Sequence, residues 1–224
     1  MENFMFNPKD FAPKTLDDVV ISNTKSKETL NDIVSGNLPF PAFGKCGILL
    51  YGAWGTGKTT LARMLPDLME EARGGQSSGY GFHKCAMGGD GAATVQKICN
   101  QSELISFTHS GLHYFVLDEI DNWTARTQQT LKAAMNREHT AFIMTTNYIN
   151  NVDAGIKSRS YLIQMDAATP SDWLPVVRRV FDVCEVSLPP DSALLPIIQG
   201  CNGNARDIVS SAVRVANQAK RLAA

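Results

Sequence analysis

One segment of the chain has the residue types and the spacing of a loop that holds phosphate groups. It fits the pattern GxxxxGK[ST] at every fixed position, and its residues are Gly52, Ala53, Trp54, Gly55, Thr56, Gly57, Lys58 and Thr59. Glycines allow successive backbone N–H groups to turn toward phosphate oxygens. Lys58 would bridge the β- and γ-phosphates, and the Thr59 hydroxyl would bind Mg²⁺. The segment therefore predicts a nucleoside triphosphate site.

Two adjacent carboxylates, Asp118 and Glu119, follow an apolar run at residues 114–117. If this run is a strand of a parallel sheet, both carboxylates stand at the edge where such sheets bind ligands. Asp118 can hold Mg²⁺, and Glu119 is placed to orient or deprotonate a water molecule. The glutamate therefore favours hydrolysis of the nucleotide over binding alone.

A further polar residue, Asn147, follows another apolar run, with Thr145 and Thr146 directly before it. At the end of a strand, these side chains could hydrogen-bond the attacking water or the γ-phosphate. An ordinary strand cap or an asparagine in a turn has the same pattern. On the residues alone, both interpretations stay open.

Short apolar runs that alternate with helical patterns must position these residues. Continuous apolar strands with helices between them predict a parallel sheet that is covered on both faces. The predicted strands are residues 48–51, 82–87, 113–117, 141–145 and 161–163. The predicted helices are about 24–34, which Thr24 could cap, 58–72, 92–106 and 125–137. Residues 1–18 contain two prolines, and we expect them to run extended over the surface.

The pattern changes after Asp166, where only helical signals follow, at about residues 171–184, 191–201 and 204–221. Pro175 is expected to delay or kink the start of the first of these helices. We therefore predict an α/β nucleotide-binding core with a parallel five-stranded sheet over residues 1–165. A small helical domain, the lid, is predicted over residues 166–224.

Composition and charge exclude several classes of protein. A length of 224 residues corresponds to about one and a half domains. A formal net charge of −1 argues against a generally polybasic binder. The N-terminus lacks the features of a signal peptide, and no run is long enough to span a membrane. The five cysteines form no CxxC pair, so we expect reduced thiols in a soluble, cytoplasmic protein.

The chain resembles the AAA+ ATPases, and within them the small subunits of replication factor C-type sliding-clamp loaders. Residues 117–124 are similar to that family's LDEADxLT, and residues 146–148 to its CNY segment. Residues 158–160, Ser-Arg-Ser, resemble its SRC motif, with serine in place of cysteine. Residues 13–20 closely match its RPKTLDDIV segment, and residues 128–132 and 203–207 resemble its AQxALRR and GDMRR motifs. The motifs occur in order over about residues 10–222.

This resemblance implies a P-loop AAA+ core with a helical lid, and ATP and Mg²⁺ as cofactors. It implies that Asn147 senses the γ-phosphate, that Arg206 contacts it from the lid, and that Arg159 is an arginine finger acting in trans on a neighbouring subunit. Further implied nucleotide contacts are Thr60, Val19 and Val20. The implied partners are further copies or related AAA+ subunits, and a sliding clamp and DNA; no membrane is implied. The implied activity is ATP hydrolysis coupled to loading of a clamp, stimulated by DNA or a partner.

The chain also departs from the family's pattern. Ala12 replaces an arginine, Ala53 and Trp54 replace two prolines, and Lys132 stands with Ala133 where the family often has two arginines. Family members carry a third, helical collar domain, and this chain ends where that domain would begin. A helicase loader, a replication or transposition regulator, and a nucleotide-gated module with negligible turnover therefore stay open as alternatives. Possible DNA contacts, which an ordinary solvated face would equally explain, are Lys84, Thr94, Gln96, Lys97 and Arg126.

Overall fold

Five parallel strands form the central sheet of the computed structural model, which describes residues 8–223. The strands lie in the order β2-β3-β4-β1-β5. Their bounds are β1 Gly47–Tyr51, β2 Gly81–Lys84, β3 His113–Asp118, β4 Thr140–Thr146 and β5 Ser160–Gln164. The predicted α/β fold with a parallel five-stranded sheet is confirmed.

Burial along the strands explains why their sequences read as continuous apolar runs. All seven residues of β4 are buried, as are the last five of β3 and the first four of β1. These three strands occupy the middle of the sheet and are covered on both faces. Phe142 of β4 contacts Phe115 of β3, with ring centroids 5.5 Å apart, inside the main apolar core.

Helices connect the strands, with bounds α1 Thr24–Ser35, α2 Lys58–Ala72, α3 Gly91–Ser102, α4 Ala125–Ala134 and α5 Ala154–Ser158. Polar side chains fix several of their first turns: Asn23 caps α1, Thr124 caps α4 and Asp153 caps α5. Thr24 is therefore the first residue of α1 and not its cap. The sequence patterns did not predict α5.

Several predicted elements end earlier in the structure than the sequence patterns suggest. Strand β2 stops at Lys84, because the chain then turns through residues 86–89. Helix α3 stops at Ser102, and the apolar residues that follow it, such as Ile105, are exposed and add nothing to its buried face. From Pro8 onward, the N-terminal segment forms two short 3₁₀ turns, Pro8–Phe11 and Leu16–Asp18, and is not extended as expected.

Three further helices have a core of their own: α6 Leu174–Cys184, α7 Asp191–Gly200 and α8 Ala205–Ala223. Pro175 stands in the first turn of α6, after a 3₁₀ turn at Pro170–Trp173. A proline is tolerated there because the first N–H groups of a helix need no intrahelical partner. Phe181 and Trp173 lie at the centre of this second cluster.

Contacts divide the described chain into two compact units. The α/β unit comprises residues 23–53 and 58–166, and the helical unit comprises residues 8–22, 54–57 and 167–223. The domain bounds 1–165 and 166–224 stay a prediction, and their outer ends, residues 1–7 and 224, lie outside the described residues. All five cysteines are unpaired. Between residues 8 and 223, no helix is both long enough and apolar enough to cross a membrane.

Candidate functional site

The first part of the site is the turn between β1 and α2, where the phosphate-loop pattern lies. Gly52 has a φ of +142°, and a Cβ built on it would lie 2.3 Å from the carbonyl oxygen of Met165, so only glycine fits. Helix α2 begins at Lys58, whose side chain is buried. Its ammonium donates hydrogen bonds to the carbonyl oxygens of Gly52, at 3.0 Å, and Ala53. The loop is thus folded around the lysine amine.

The second part is a set of oxygen atoms contributed by α2, β3 and β4. Asp118 Oδ1 accepts hydrogen bonds from the hydroxyls of Thr59, at 2.7 Å, and Thr145, at 2.8 Å. Strand order explains the arrangement, because β4 lies between β1 and β3 and all three carboxyl ends meet at one edge. Asp118 is buried. The structure thus brings the carboxylate next to the first turn after the phosphate loop.

Thr145 also supports the backbone of Glu119. Its hydroxyl accepts a hydrogen bond from the Glu119 N–H at 2.9 Å while it donates to Asp118. Glu119 has a left-handed backbone, with φ 63° and ψ 53°, which costs energy for a residue with a side chain and is typical of functional sites. The sequence analysis named Thr145 as a possible partner of the attacking water or the γ-phosphate; the structure shows its hydroxyl between Asp118 and the backbone of Glu119.

Glu119 and Asn147 both lie at this edge and are half-buried. Glu119 Oε2 accepts a long hydrogen bond, 3.5 Å, from Asn122 Nδ2, which also donates to the carbonyl oxygen of Cys85. Asn147 directly follows β4. Both residues therefore follow neighbouring strands at the carboxyl edge, and both are partly open to solvent.

Cys85 lies just beyond β2, with its N–H on the carbonyl oxygen of Asp118 at 2.8 Å. Burial, and then the negative charges of Asp118, Asp121 and Glu119, raise the pKa of its thiol. The thiol therefore stays protonated at neutral pH and adds no negative charge to the site.

The oxygen donors at this edge fit a magnesium ion. Mg²⁺ prefers hard oxygen ligands and is usually held by one or two protein groups together with phosphate oxygens and water. Asp118 and Thr59 supply a carboxylate and a hydroxyl whose oxygens lie 2.7 Å apart. Within residues 8–223 there is no cluster of three acidic, histidine or cysteine side chains that could bind a metal by itself. The carboxylate of Asp118 and the hydroxyl of Thr59 are the kind of donors that hold Mg²⁺ together with phosphate oxygens.

Arg159 lies at the opposite edge of the same sheet. Its carbonyl oxygen accepts backbone hydrogen bonds from Cys46 and Gly47 at the start of β1, whereas the phosphate loop follows the end of that strand. Five residues at about 3.3 Å each separate the two edges by about 16 Å. The Arg159 guanidinium donates to Asn136 Oδ1 at 2.9 Å and to the carbonyl oxygen of Gly155 at 3.1 Å. The structure does not bring Arg159 to the site of its own chain.

Gln128 of α4 connects the segment after β3 with the segment that leads to Arg159. Its buried amide nitrogen donates to the carbonyl oxygens of Trp123 and Asn151, both at 3.1 Å. Its amide oxygen accepts from the N–H of Asp153, the cap of α5, at 2.7 Å. Arg159 ends α5, so one side chain positions both segments. Our site prediction did not include Gln128; its place within residues 128–132 was the only signal.

The remaining predicted nucleotide contacts are distributed as follows. Val19 is buried, and Val20 packs with Phe11 on the apolar core of the helical unit. Arg206 is exposed in the first turn of α8, and Thr60 is exposed on α2. The tip of the phosphate loop belongs to the helical unit, and within it Trp54 is 66% exposed and Thr56 is buried. The possible DNA contacts Lys84, Gln96, Lys97 and Arg126 are exposed, and Thr94 is half-buried.

A sheet of this order with a GxxxxGK[ST] turn and an Asp-Glu strand end defines a P-loop nucleotide-binding protein. The sequence model of the ATPase family associated with various cellular activities (AAA) matches residues 48–165, more than half of the 224 residues. This chain belongs to the AAA family.

Among curated proteins, the chain is similar to replication factor C small subunits. That of Sulfolobus acidocaldarius is 26% identical over 220 residues, which cover 95% of this chain and 64% of that protein. Replication factor C small subunit 2 of Pyrobaculum islandicum is 25% identical, covering 90% of this chain and 60% of that protein. The chain therefore spans less than two thirds of the length of these relatives.

Among solved structures, a variant of RuvB from Thermotoga maritima has a TM-score of 0.71. It is 19% identical and covers 96% of this chain and 68% of that one. At this identity, the likeness shows a shared fold. The sheet order, the family match and these relatives together make the chain an AAA+ ATPase related to replication factor C small subunits.

Proposed function

We propose that the chain hydrolyses ATP as one subunit of an oligomeric assembly of the clamp-loader type. The observation that carries this proposal is the separation within one sheet: Lys58, Thr59, Asp118 and Glu119 meet at its carboxyl edge, and Arg159 lies at its amino edge. The first group has the donors that bind and hydrolyse a nucleotide. The arginine is out of its reach and is available to a neighbouring chain.

The proposed binding step uses groups that already contact one another. Lys58 would exchange the carbonyl oxygens of the loop for the β- and γ-phosphates of ATP, while backbone N–H groups of residues 52–59 surround the phosphates. Thr59 and Asp118 would hold Mg²⁺, which when bound would neutralise charge on the phosphate oxygens. Val19 and Val20 would border the base, and Thr60 would lie beside the phosphates.

The proposed chemical step is attack of water on the γ-phosphorus, giving ADP and phosphate. Glu119 would orient the water and take its proton, because its carboxylate is half-buried at the same edge as Asp118. Asn147 would hydrogen-bond the water or the γ-phosphate from the strand between β1 and β3. Arg206 would contact the γ-phosphate from the helical lid, proposed as residues 166–224.

The neighbouring subunit would complete the site with its own Arg159. An arginine supplied in trans stabilises the charge of the transition state and contributes about 10³–10⁵ in rate in phosphoryl transfer. A single chain should therefore turn over slowly, and partners that assemble the chains, DNA included, should stimulate it. The similarity to replication factor C small subunits, together with the resemblance of the sequence motifs to sliding-clamp loaders, supports a sliding clamp and DNA as those partners.

The test is native mass measurement of the purified chain, alone and with related subunits, in the presence of a nonhydrolysable ATP analogue and primed DNA. We expect a larger assembly that requires the analogue and is favoured by DNA. A protein that stays a monomer under every condition, while it still binds ATP, would contradict the oligomeric part of the proposal.

A binding experiment with purified partners tests the clamp-loader assignment itself. The analogue-bound assembly should retain a sliding clamp and should not retain a replicative helicase. Retention of the helicase alone would identify a helicase loader, and undetectable turnover with DNA and clamp present would identify a nucleotide-gated binding module. Either result would overturn the assignment.

A further inference from the structure

The tip of the phosphate loop is attached to the first turn of α8. The N–H of Ala205 donates a hydrogen bond to the carbonyl oxygen of Gly55 at 2.8 Å. Gly55 has a φ of +77°, and a Cβ built on it would lie 2.6 Å from Cγ and Oδ1 of Asn204. The amide of Asn204 thus fills the space that a side chain at position 55 would need. Gly55 is held both at its carbonyl and at its Cα.

Asn204 also caps α8, because its Oδ1 accepts a hydrogen bond from the N–H of Arg206 at 3.0 Å. Its backbone N–H donates to the carbonyl oxygen of Cys201 at 3.0 Å. The hydrogen bonds with α8 and Cys201 therefore fix Asn204, and its side-chain amide packs against Gly55. Capping of α8 requires only the hydrogen bond to the N–H of Arg206, so the contact of the Asn204 amide with Gly55 is a second, separate interaction.

We propose that Asn204 is a positioning residue for the phosphate loop: it fixes Gly55 so that the loop is ordered before a nucleoside diphosphate or triphosphate binds. This inference rests on the proposed nucleotide site. A loop that is already ordered loses less conformational entropy on binding and therefore binds more tightly. The N–H groups of such a loop surround the phosphates that ADP and ATP share, so the contribution of Asn204 should be the same for both nucleotides.

The experiment compares Asn204→Ser with the wild-type chain, using equilibrium binding of ADP and of a nonhydrolysable ATP analogue. Serine caps helices as well as asparagine does but is too short to fill the space at Gly55. We expect both dissociation constants to rise by the same factor, at least about fivefold, with the melting temperature preserved. KM for ATP should rise likewise, and kcat should change little.

Two further variants keep the result interpretable. Asn23→Ser changes the same residue type at the cap of α1 and should leave both affinities at the wild-type value. Asn204→Gly also keeps a preferred cap residue and leaves the space at Gly55 empty, so it should weaken both nucleotides by about the same factor as serine does. It also provides the answer if the serine variant fails to fold.

An unchanged affinity for ADP in the folded Asn204 variants would overturn the inference. Loss of affinity for the ATP analogue alone would also overturn it, because that pattern would mean that Asn204 acts only by capping the helix that carries Arg206. Failure of the wild-type chain to bind either nucleotide would instead contradict the proposed function, and the two failures are therefore distinguishable.

Discussion

The candidate site residues at the two edges of the central sheet differ in their contacts: those at the carboxyl edge hydrogen-bond one another, and Arg159 at the amino edge has other partners. At the carboxyl edge, Asp118 accepts hydrogen bonds from Thr59 and Thr145, and each side chain has its partners within the chain. At the amino edge, the Arg159 guanidinium donates hydrogen bonds to Asn136 and to the carbonyl oxygen of Gly155, about one strand length from the phosphate loop. The carboxyl edge is a preorganised site, and the amino edge carries Arg159 beside Lys45, whose ammonium donates to the carbonyl oxygens of Ser158 and Ser160.

This difference indicates how the two edges would work together. A site whose groups already hydrogen-bond one another needs little rearrangement to bind phosphate, whereas the role proposed for Arg159 requires a nucleotide bound to another chain. Burial raises the pKa of the nearby Cys46 thiol to about 11, although the positive charge of Arg159 opposes the rise. Backbone hydrogen bonds from Cys46 and Gly47 place Arg159 beside the start of β1, about one strand length from the phosphate loop.

The largest expected effect comes from Arg159→Ala, which removes the contribution of the amino edge. Steady-state turnover of the assembled protein should fall by about 10³-fold or more, while the affinity for a nonhydrolysable ATP analogue stays within about twofold. Arg137→Ala is the matched control, because Arg137 is a partly exposed arginine paired with Glu103. A comparable loss of turnover in both variants would mean that the effect is not specific to Arg159.

At the carboxyl edge, Thr145→Val should remove the hydrogen bonds that join Asp118 to the backbone of Glu119. Valine keeps the shape but leaves Asp118 and the N–H of Glu119 without the hydroxyl that joins them. We expect a decrease in kcat of about tenfold to a hundredfold, and a loss of about 1–3 kcal/mol in the free energy of unfolding. Steady-state turnover measures kcat, and urea denaturation measures the free energy of unfolding. Thr145→Ser keeps the hydroxyl and should restore both quantities. Wild-type kcat in the valine variant would show that Thr145 does not position Glu119.

A smaller effect on turnover should follow from Gln128→Ala, which removes the side chain that joins the segment after β3 to the segment before α5. The buried amide joins the segment after β3 to the cap of α5, so its removal leaves the N–H of Asp153 without its acceptor. We expect a loss of about 2–3 kcal/mol in the free energy of unfolding and weaker stimulation of turnover by partners. Gln129→Ala, an exposed neighbour, should change neither quantity.

The smallest effect should come from Asn136→Ala. Its hydrogen bond with Arg159 is exposed, and bonds of this kind contribute about 1 kcal/mol or less to stability. If Arg159 leaves Asn136 in order to act on a neighbouring chain, turnover should be unchanged or slightly higher. A large decrease in turnover would mean that Asn136 holds the arginine in its active position.

The sequence predicted the elements whose signals are local. The apolar runs placed the five strands, and the motif at residues 52–59 placed the loop and the start of α2. The patterns did not predict α5, because Asp153 caps only five residues and no apolar periodicity can develop over that length. The contacts of Thr145 with Asp118 and Glu119, and the position of Gln128, were not predicted for another reason: they depend on which strands and segments become neighbours. That information comes from the strand order and not from local spacing.

A mixing experiment tests the central claim, that one chain's Arg159 completes another chain's site. Arg159→Ala subunits keep a complete carboxyl edge, and Glu119→Gln subunits keep an intact arginine. Each alone should be nearly inactive, and mixtures of the two, with mixed assembly verified by native mass measurement, should regain part of the wild-type ATPase rate. Turnover that stays at the level of the single variants at every ratio would contradict the claim.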